Sequence, residues 1–273
     1  MRPSAAFGVA LGVAAGALLS LAGCDEKKTN VAPAASVLAP PAASAGSTTK
    51  EFVIEGDAKA TISMEAPKES FKASTTGGAG SLSIDPANLA GSRGEVKIDL
   101  TTLTTSSFAG KPDADANNKA QTTHARTWLE VADAEGGKLD DKVKEANRYA
   151  VYVIRSVSDA SANDLAKVSP TKDGGDDVRA VQLITRGELL VHGHKVERDG
   201  DVELAFHYDP GAAPDKPKSL VVKTRKPFRV VLAEHDVKPR DAAGKIAKEA
   251  FHLLGTKVAE NADVSLELRA RPK

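Results

Sequence analysis

Beyond Glu51 the sequence alternates between apolar and polar residues with a period of two, the spacing of a strand with one buried face and one wet face. Ile62, Met64 and Ala66 alternate with Thr61, Ser63 and Glu65, and Val96, Ile98 and Leu100 alternate with Glu95, Lys97 and Asp99. The same period runs through Tyr149, Val151 and Val153, through Val181, Leu183, Leu189 and Val191, and through Val202, Leu204, Phe206 and Tyr208. Further stretches run from Leu220 to Leu232 and through Val264, Leu266 and Leu268. With short strands near Phe71 and from Leu82 to Ile84, the total reaches eight or more. Turn signals such as Gly77-Gly78 and Asp199-Gly200 join neighbouring strands into an antiparallel meander, for which a barrel is the economical closure.

Three segments break the alternation. Asn117 to Val131 has helical spacing, with Ala120, His124 and Trp128 one turn apart on one face. Lys138 to Asn147 reads as a short charged helix, and Ala242 to Leu254 as another with Ile246, Ala250 and Leu253 on one side. Lys172 to Asp177 and Pro214 to Pro217 read as loops. The expected fold class is all-β, an antiparallel β-barrel with small helical insertions.

The first fifth of the chain cannot join that core. Arg2 precedes a charge-free run from Ala5 to Leu19, the pattern of a signal segment and short for a bilayer span. Leu21-Ala22-Gly23-Cys24 follows directly and resembles the bacterial lipobox, which implies that residues 1–24 form a lipoprotein signal peptide and that Cys24 carries the lipid. Two acyl chains hold a protein stably on a membrane. Residues 25–49 are dominated by Ala, Pro, Ser and Thr and read as a disordered tether, leaving residues 50–273 as one domain. The expected location is the bacterial cell envelope, on a membrane and facing the periplasm.

Charge narrows the partners. Lys plus Arg equals Asp plus Glu at 37 each, so no field of one sign draws in nucleic acid, and aromatic residues at 4% supply no base-stacking platform. Cys24 is the one cysteine, so no intramolecular disulfide staples the domain, and roughly 220 residues need none.

Several stretches resemble the polyisoprenoid-binding, lipocalin-like family called YceI-like. These are Phe52-Val53-Ile54, Ala60-Thr61-Ile62-Ser63-Met64 and Gly80-Ser81-Leu82-Ser83-Ile84-Asp85, followed by the run from Gly94 to Thr105 with its hydroxyl-rich end. Gln121-Thr122-Thr123-His124-Ala125 sits where the family has Arg, Asp and His before a short helix, and Gly187 to Val196 resembles its late hairpin. The chain departs from the pattern at Gln121, in place of Arg, and beside Tyr149, where it lacks a Pro. The resemblance implies a lipocalin-like antiparallel barrel with an apolar channel for an isoprenoid or similar lipid, without a cofactor.

An apolar channel tolerates no unpaired polar group, because each costs about 1 to 3 kcal/mol. The residues expected to line it are Ile62, Met64, Ile98, Leu100, Trp128, Phe206 and Phe228, with Thr102 and His124 as head-group contacts. Alternation alone fits a solid core equally well, and Trp128 fits the plain role of anchoring its helix. A solid barrel acting as a non-catalytic envelope interaction protein is therefore the alternative. A second alternative is metal binding through His192 and His194, whose third ligand the local sequence lacks; His207 or His235 from neighbouring strands are candidates, and no metal is expected. No Gly-x-Ser-x-Gly elbow or phosphate-binding loop is present, and the Asp140-Asp141 and Asp176-Asp177 pairs are explained by solvation, so no enzyme activity is expected. The sequence admits a homodimer.

Overall fold

The computed structural model describes residues 48–66, 70–108, 119–134, 136–239 and 259–273. The signal segment, Cys24, most of the tether and the helix expected at Ala242 to Leu254 lie outside the described residues.

The alternating segments form strands β1 (Lys50–Ile54), β2 (Lys59–Glu65), β3 (Ser70–Thr76), β4 (Gly78–Ile84), β5 (Arg93–Asp99) and β6 (Thr104–Phe108). After helices α1 (Lys119–Trp128) and α2 (Asp141–Asn147) come β7 (Tyr149–Ser158), β8 (Thr171–Asp173), β9 (Asp176–Val191) and β10 (His194–Tyr208). The last strands are β11 (Ser219–Thr224), β12 (Phe228–Val231) and β13 (Asn261–Pro272). Eight of them pair in the order β1-β4-β5-β7-β9-β10-β11-β13, and β13 pairs again with β1, so the sheet closes on itself as a ring of antiparallel neighbours. The all-β class with small helical insertions is thus the observed one.

Several lines of strand are interrupted, and β13 shows how. One edge of it takes β11 at Glu267 to Ala270 and β12 at Asn261 to Val264. Its other edge takes β1 at Ala270 to Pro272 and β2 at Asp263 to Glu267. The strands β2, β3 and β6 therefore continue the lines of β1, β4 and β5 past a break. Gly77-Gly78 lies at the β3–β4 break and is not a hairpin turn; Gly77 N–H donates to the Ala58 carbonyl, and Asp99 N–H donates to that of Gly77. At the β5–β6 break the Asp99 carboxylate accepts from Thr101 N–H, which starts a 3₁₀ turn over Leu100–Thr102. Leu100 is buried there, outside the strand that the alternation gave it.

The second expected turn, Asp199-Gly200, is also mid-strand: Asp199 pairs with Arg186 and Gly200 with Thr185 across the β9–β10 ladder. The real turn is His192-Gly193, with φ of 49° and 74°, the left-handed pair that a two-residue hairpin needs. Lys172 to Asp177 is not a plain loop either, since β8 pairs with the start of β9 there.

Side chains inside the ring form two clusters. One gathers Phe52, Ile98, Leu204, Phe206, Tyr208 and Leu220, closed at its end by Leu89 and Leu165. The other gathers Ile62, Ala73, Leu103, Tyr152, Leu189 and Phe228, with Met64, Ala125 and Leu129 packed against it. On β7 the inward residues are Tyr152 and Ile154; Val151 and Val153, which the alternation also marked, pack with Leu190 in a third cluster. Across the strands Val153 pairs with Glu95 and Glu188. Their ion pairs with Lys97 (2.7 Å) and Lys195 (2.8 Å) lay aliphatic stems beside this strip.

Helix α1 meets the ring at β6. Thr122 Oγ1 accepts from Thr105 N–H and shares a second bond with its hydroxyl, both 3.0 Å, and Arg126 Nε donates to the Leu103 carbonyl at 2.8 Å. The docking face carries Thr122, Ala125 and Leu129, whereas the expected face of Ala120, His124 and Trp128 leaves Ala120 and His124 exposed. In a helix this rich in Ala and Thr the spacing marks two faces, and hydrogen bonds to β6 select between them.

Candidate functional site

The interior cluster on the α1 side contains an aromatic pair. The Tyr152 and Phe228 rings meet edge to face, with centroids 5.0 Å apart at 79°. Each ring stands against a glycine on the long hairpin. A Cβ at Gly187 would lie 2.3 Å from the Val153 carbonyl oxygen and 2.8 Å from the Tyr152 ring, and one at Gly200 would lie 2.6 Å from the Phe228 ring. At Gly187 the Val153 backbone and the Tyr152 ring leave no room for a side chain, and at Gly200 the Phe228 ring and the Thr185 hydroxyl do the same. Gly200 is thus explained by packing across the ring rather than by a turn.

Beside this pair lies an apolar cavity of about 60 Å³, bounded also by Leu82, Val96, Ile154, Leu183, Leu204 and Leu268. Five of its lining residues carry polar side-chain atoms, and each is bonded within the protein. The Tyr152 hydroxyl donates to the Arg198 carbonyl (2.9 Å), and that of Thr185 donates to the Gly200 carbonyl (3.2 Å). Thr224 Oγ1 accepts from Leu266 N–H, Ser92 Oγ accepts from Asp85 N–H, and Arg93 donates to the Ala90 and Ser92 carbonyls. Burial pushes the Tyr152 phenol up to about 12, so it stays neutral. The wall therefore presents hydrocarbon to whatever occupies the space.

Of the seven residues expected to line a channel, Phe228 borders this cavity. Ile62 is buried in the α1-side cluster with Met64 half-buried against it, and Ile98 and Phe206 belong to the other cluster. Leu100 is buried in the 3₁₀ turn. Trp128 is half-buried on α1 and stacks on exposed His124, with centroids 6.1 Å apart and planes 3° from parallel. Thr102 Oγ1 donates to the Asp99 carbonyl at 2.7 Å and accepts from Thr76 N–H at 3.1 Å. The sequence reading missed Tyr152, which the alternation of β7 placed on the wrong face; its only signal was a large aromatic residue out of phase with two valines.

No protein-family model matches the sequence, and no curated protein matches it. Among solved structures, a domain from Saccharophagus degradans, described as a polyisoprenoid binding domain implicated in plant cell wall breakdown, is similar over 81% of this chain and 98% of its own. The identity is 12% and the TM-score 0.46. BcnA of Burkholderia cenocepacia is similar over 78% of this chain and 95% of its own, at 12% identity and a TM-score of 0.43. Neither likeness identifies a residue of the site.

A second group of side chains meets at the turn of the long hairpin. His192 is buried, with Nε2 2.6 Å from Glu130 Oε2 and Nδ1 3.0 Å from the His235 carbonyl oxygen. His235, fully buried, places its Nδ1 3.0 Å from the His194 carbonyl oxygen, and burial holds its pKa below the usual histidine value. Neither candidate third ligand is in place: His207 pairs with Asp176 on another part of the surface, and His235 is turned to the His194 backbone. Asp236 supplies the third donor, one atom from each of His192, His194 and Asp236 lying within 4.8 Å of the others.

Proposed function

We propose that this protein is a membrane-tethered, non-catalytic binder or carrier of an isoprenoid or similar apolar chain, held inside the strand ring. The observation that carries the reading is the cavity wall: every polar side chain on it is hydrogen-bonded within the protein, and the rest is hydrocarbon, which suits an occupant that offers no hydrogen bond. Tethering through Cys24 and a periplasmic location belong to the same proposal and are supported by the charge-free run and the lipobox-like segment.

The cavity of about 60 Å³ is far smaller than the roughly 300 to 1,000 Å³ of a site for a drug-sized ligand. A long apolar chain therefore needs the Tyr152 and Phe228 rings to part, which would join the cavity to the α1-side cluster. Met64 beside that cluster is unbranched and adapts to a flexible guest. In this reading α1 covers the mouth, Trp128 touches the emerging chain, and His124 and Thr102 contact its polar end.

Native mass spectrometry of the full chain, purified from bacterial membranes in mild detergent, tests the proposal. One apolar molecule per chain is expected, and the same spectrum distinguishes monomer from homodimer. Trp128→Ala is expected to lose that molecule while its thermal unfolding changes little. An unaltered chain that carries no apolar molecule, and takes up none from added polyprenol, would favour the solid interaction module instead.

A further inference from the structure

We propose that the turn of the β9–β10 hairpin is a site for a divalent transition-metal ion of the zinc class, with His192, His194, Asp236 and Glu130 as its ligands. The proposal does not depend on the apolar ligand. It begins from His192, whose two ring nitrogens face two acceptors, the His235 carbonyl oxygen at 3.0 Å and Glu130 Oε2 at 2.6 Å. A neutral imidazole has one N–H to give, so the second contact is met by a proton on the ring, by a proton on the carboxyl, or by another positive charge at the ring nitrogen. A metal ion on Nε2 supplies it and leaves Nδ1–H to donate to the carbonyl, the outer-shell bond that orients a ligating histidine.

The other donors are already gathered. One ligand atom each from His192, His194 and Asp236 lies within 4.8 Å of the other two. A tetrahedral zinc site with bonds of about 2.0 to 2.2 Å needs donors about 3.3 Å apart. The present separations of up to 4.8 Å would therefore shorten when an ion binds. Glu130 stands closer than that to His192 and opens slightly to admit the ion. The cation now against Asp236 is the Lys238 ammonium at 2.5 Å, which the metal would replace.

The backbone brings three of these donors to the ends of their elements. Four non-glycine residues among the described ones have positive φ, and three of them are Glu130 (54°), His192 (49°) and Asp236 (53°). Each sits where its own element ends: Glu130 just past α1, His192 in the hairpin turn, and Asp236 as the cap of the 3₁₀ turn Leu232–His235. Three separate elements adopt this conformation and bring donor side chains to one place. A bound ion would clamp the end of α1 to the hairpin.

Titration of the full detergent-solubilised chain with Zn²⁺, followed by calorimetry, and with Co²⁺, followed by visible absorption, tests the site. One equivalent is expected to bind, with the intense visible bands of tetrahedral cobalt and a raised unfolding temperature of the unaltered chain. His194→Gln and Asp236→Asn are each expected to weaken binding at least ten-fold, and His207→Ala, whose imidazole lies elsewhere, to leave it unchanged. Absence of saturable binding to the unaltered chain overturns the proposal whatever the variants do. Full affinity in the folded Asp236→Asn protein, or a loss in His207→Ala equal to that in His194→Gln, overturns it as well.

Discussion

At the scale of single residues the aromatic pair bounding the cavity is the decisive feature. Phe228 is held by Tyr152 on one side and by the bare Gly200 backbone on the other. Phe228→Ala removes the ring from both, and such truncations in packed cores cost about 3 to 5 kcal/mol. The same change enlarges the space for a guest, so denaturant unfolding is expected to show a large loss of stability in the empty protein and a larger rescue by added polyprenol than in the unaltered one. Equal stabilisation of the two proteins would place the guest elsewhere. Asp99 gives a second residue-level expectation. Burial by itself would raise its carboxyl, but hydrogen bonds from Thr101 and Arg148 outweigh it and hold the pKa below the ordinary 3.8. A carboxyl whose folded pKa is depressed lends stability that is fully present above its unfolded value and is lost as pH falls through the folded one. Thermal melts of Asp99→Asn are therefore expected to lie below those of the unaltered chain at neutral pH. The gap should close as pH falls below 3.8; a gap constant with pH would contradict this role.

At the scale of elements, the strands of the long hairpin were legible because apolar residues alternate from Val202 to Tyr208 and keep one phase at Val181, Leu183, Leu189 and Val191. The break between β5 and β6 was not. Leu100 keeps the apolar phase of Val96 and Ile98, yet the Asp99 side chain bonds to Thr101 and turns the backbone into a 3₁₀ bend, a local competition that periodicity does not register. β7 was read in the opposite phase because it is buried on both faces, and the outer one carries Val151 and Val153. Helix α1 was legible as a helix, but its docking face depended on Thr105 and Leu103, partners distant in the chain. This helix meets the ring at Thr105 and Leu103 of the β6 region, whereas β9 is flanked along its length by β7 and β10. Amide hydrogen exchange is accordingly expected to be much faster in α1 than in β9. A bound apolar chain is expected to slow exchange in α1 in particular; uniform exchange across both elements would contradict its role as a cover.

For the whole molecule, the sequence carried the class and the ring but only part of the interior. Alternation fixes which side of a strand is greasy, while the cavity depends on which rings meet across the sheet, and those contacts join residues from β7, β9, β10 and β12. Phe228 was marked as a lining residue by its apolar phase; Tyr152, Gly187 and Gly200 acquire meaning only once the ring has closed. In the proposed function a closed sheet holds an apolar chain in a hydrocarbon-walled space, with Tyr152 and Phe228 as its gate and α1 as its cover. Its most direct test is an experimental density map of the protein taken from its own membrane without delipidation. The account predicts continuous elongated density running past parted Tyr152 and Phe228 rings toward α1. Rings still in edge contact, with nothing beside them beyond the cavity of about 60 Å³, would contradict it.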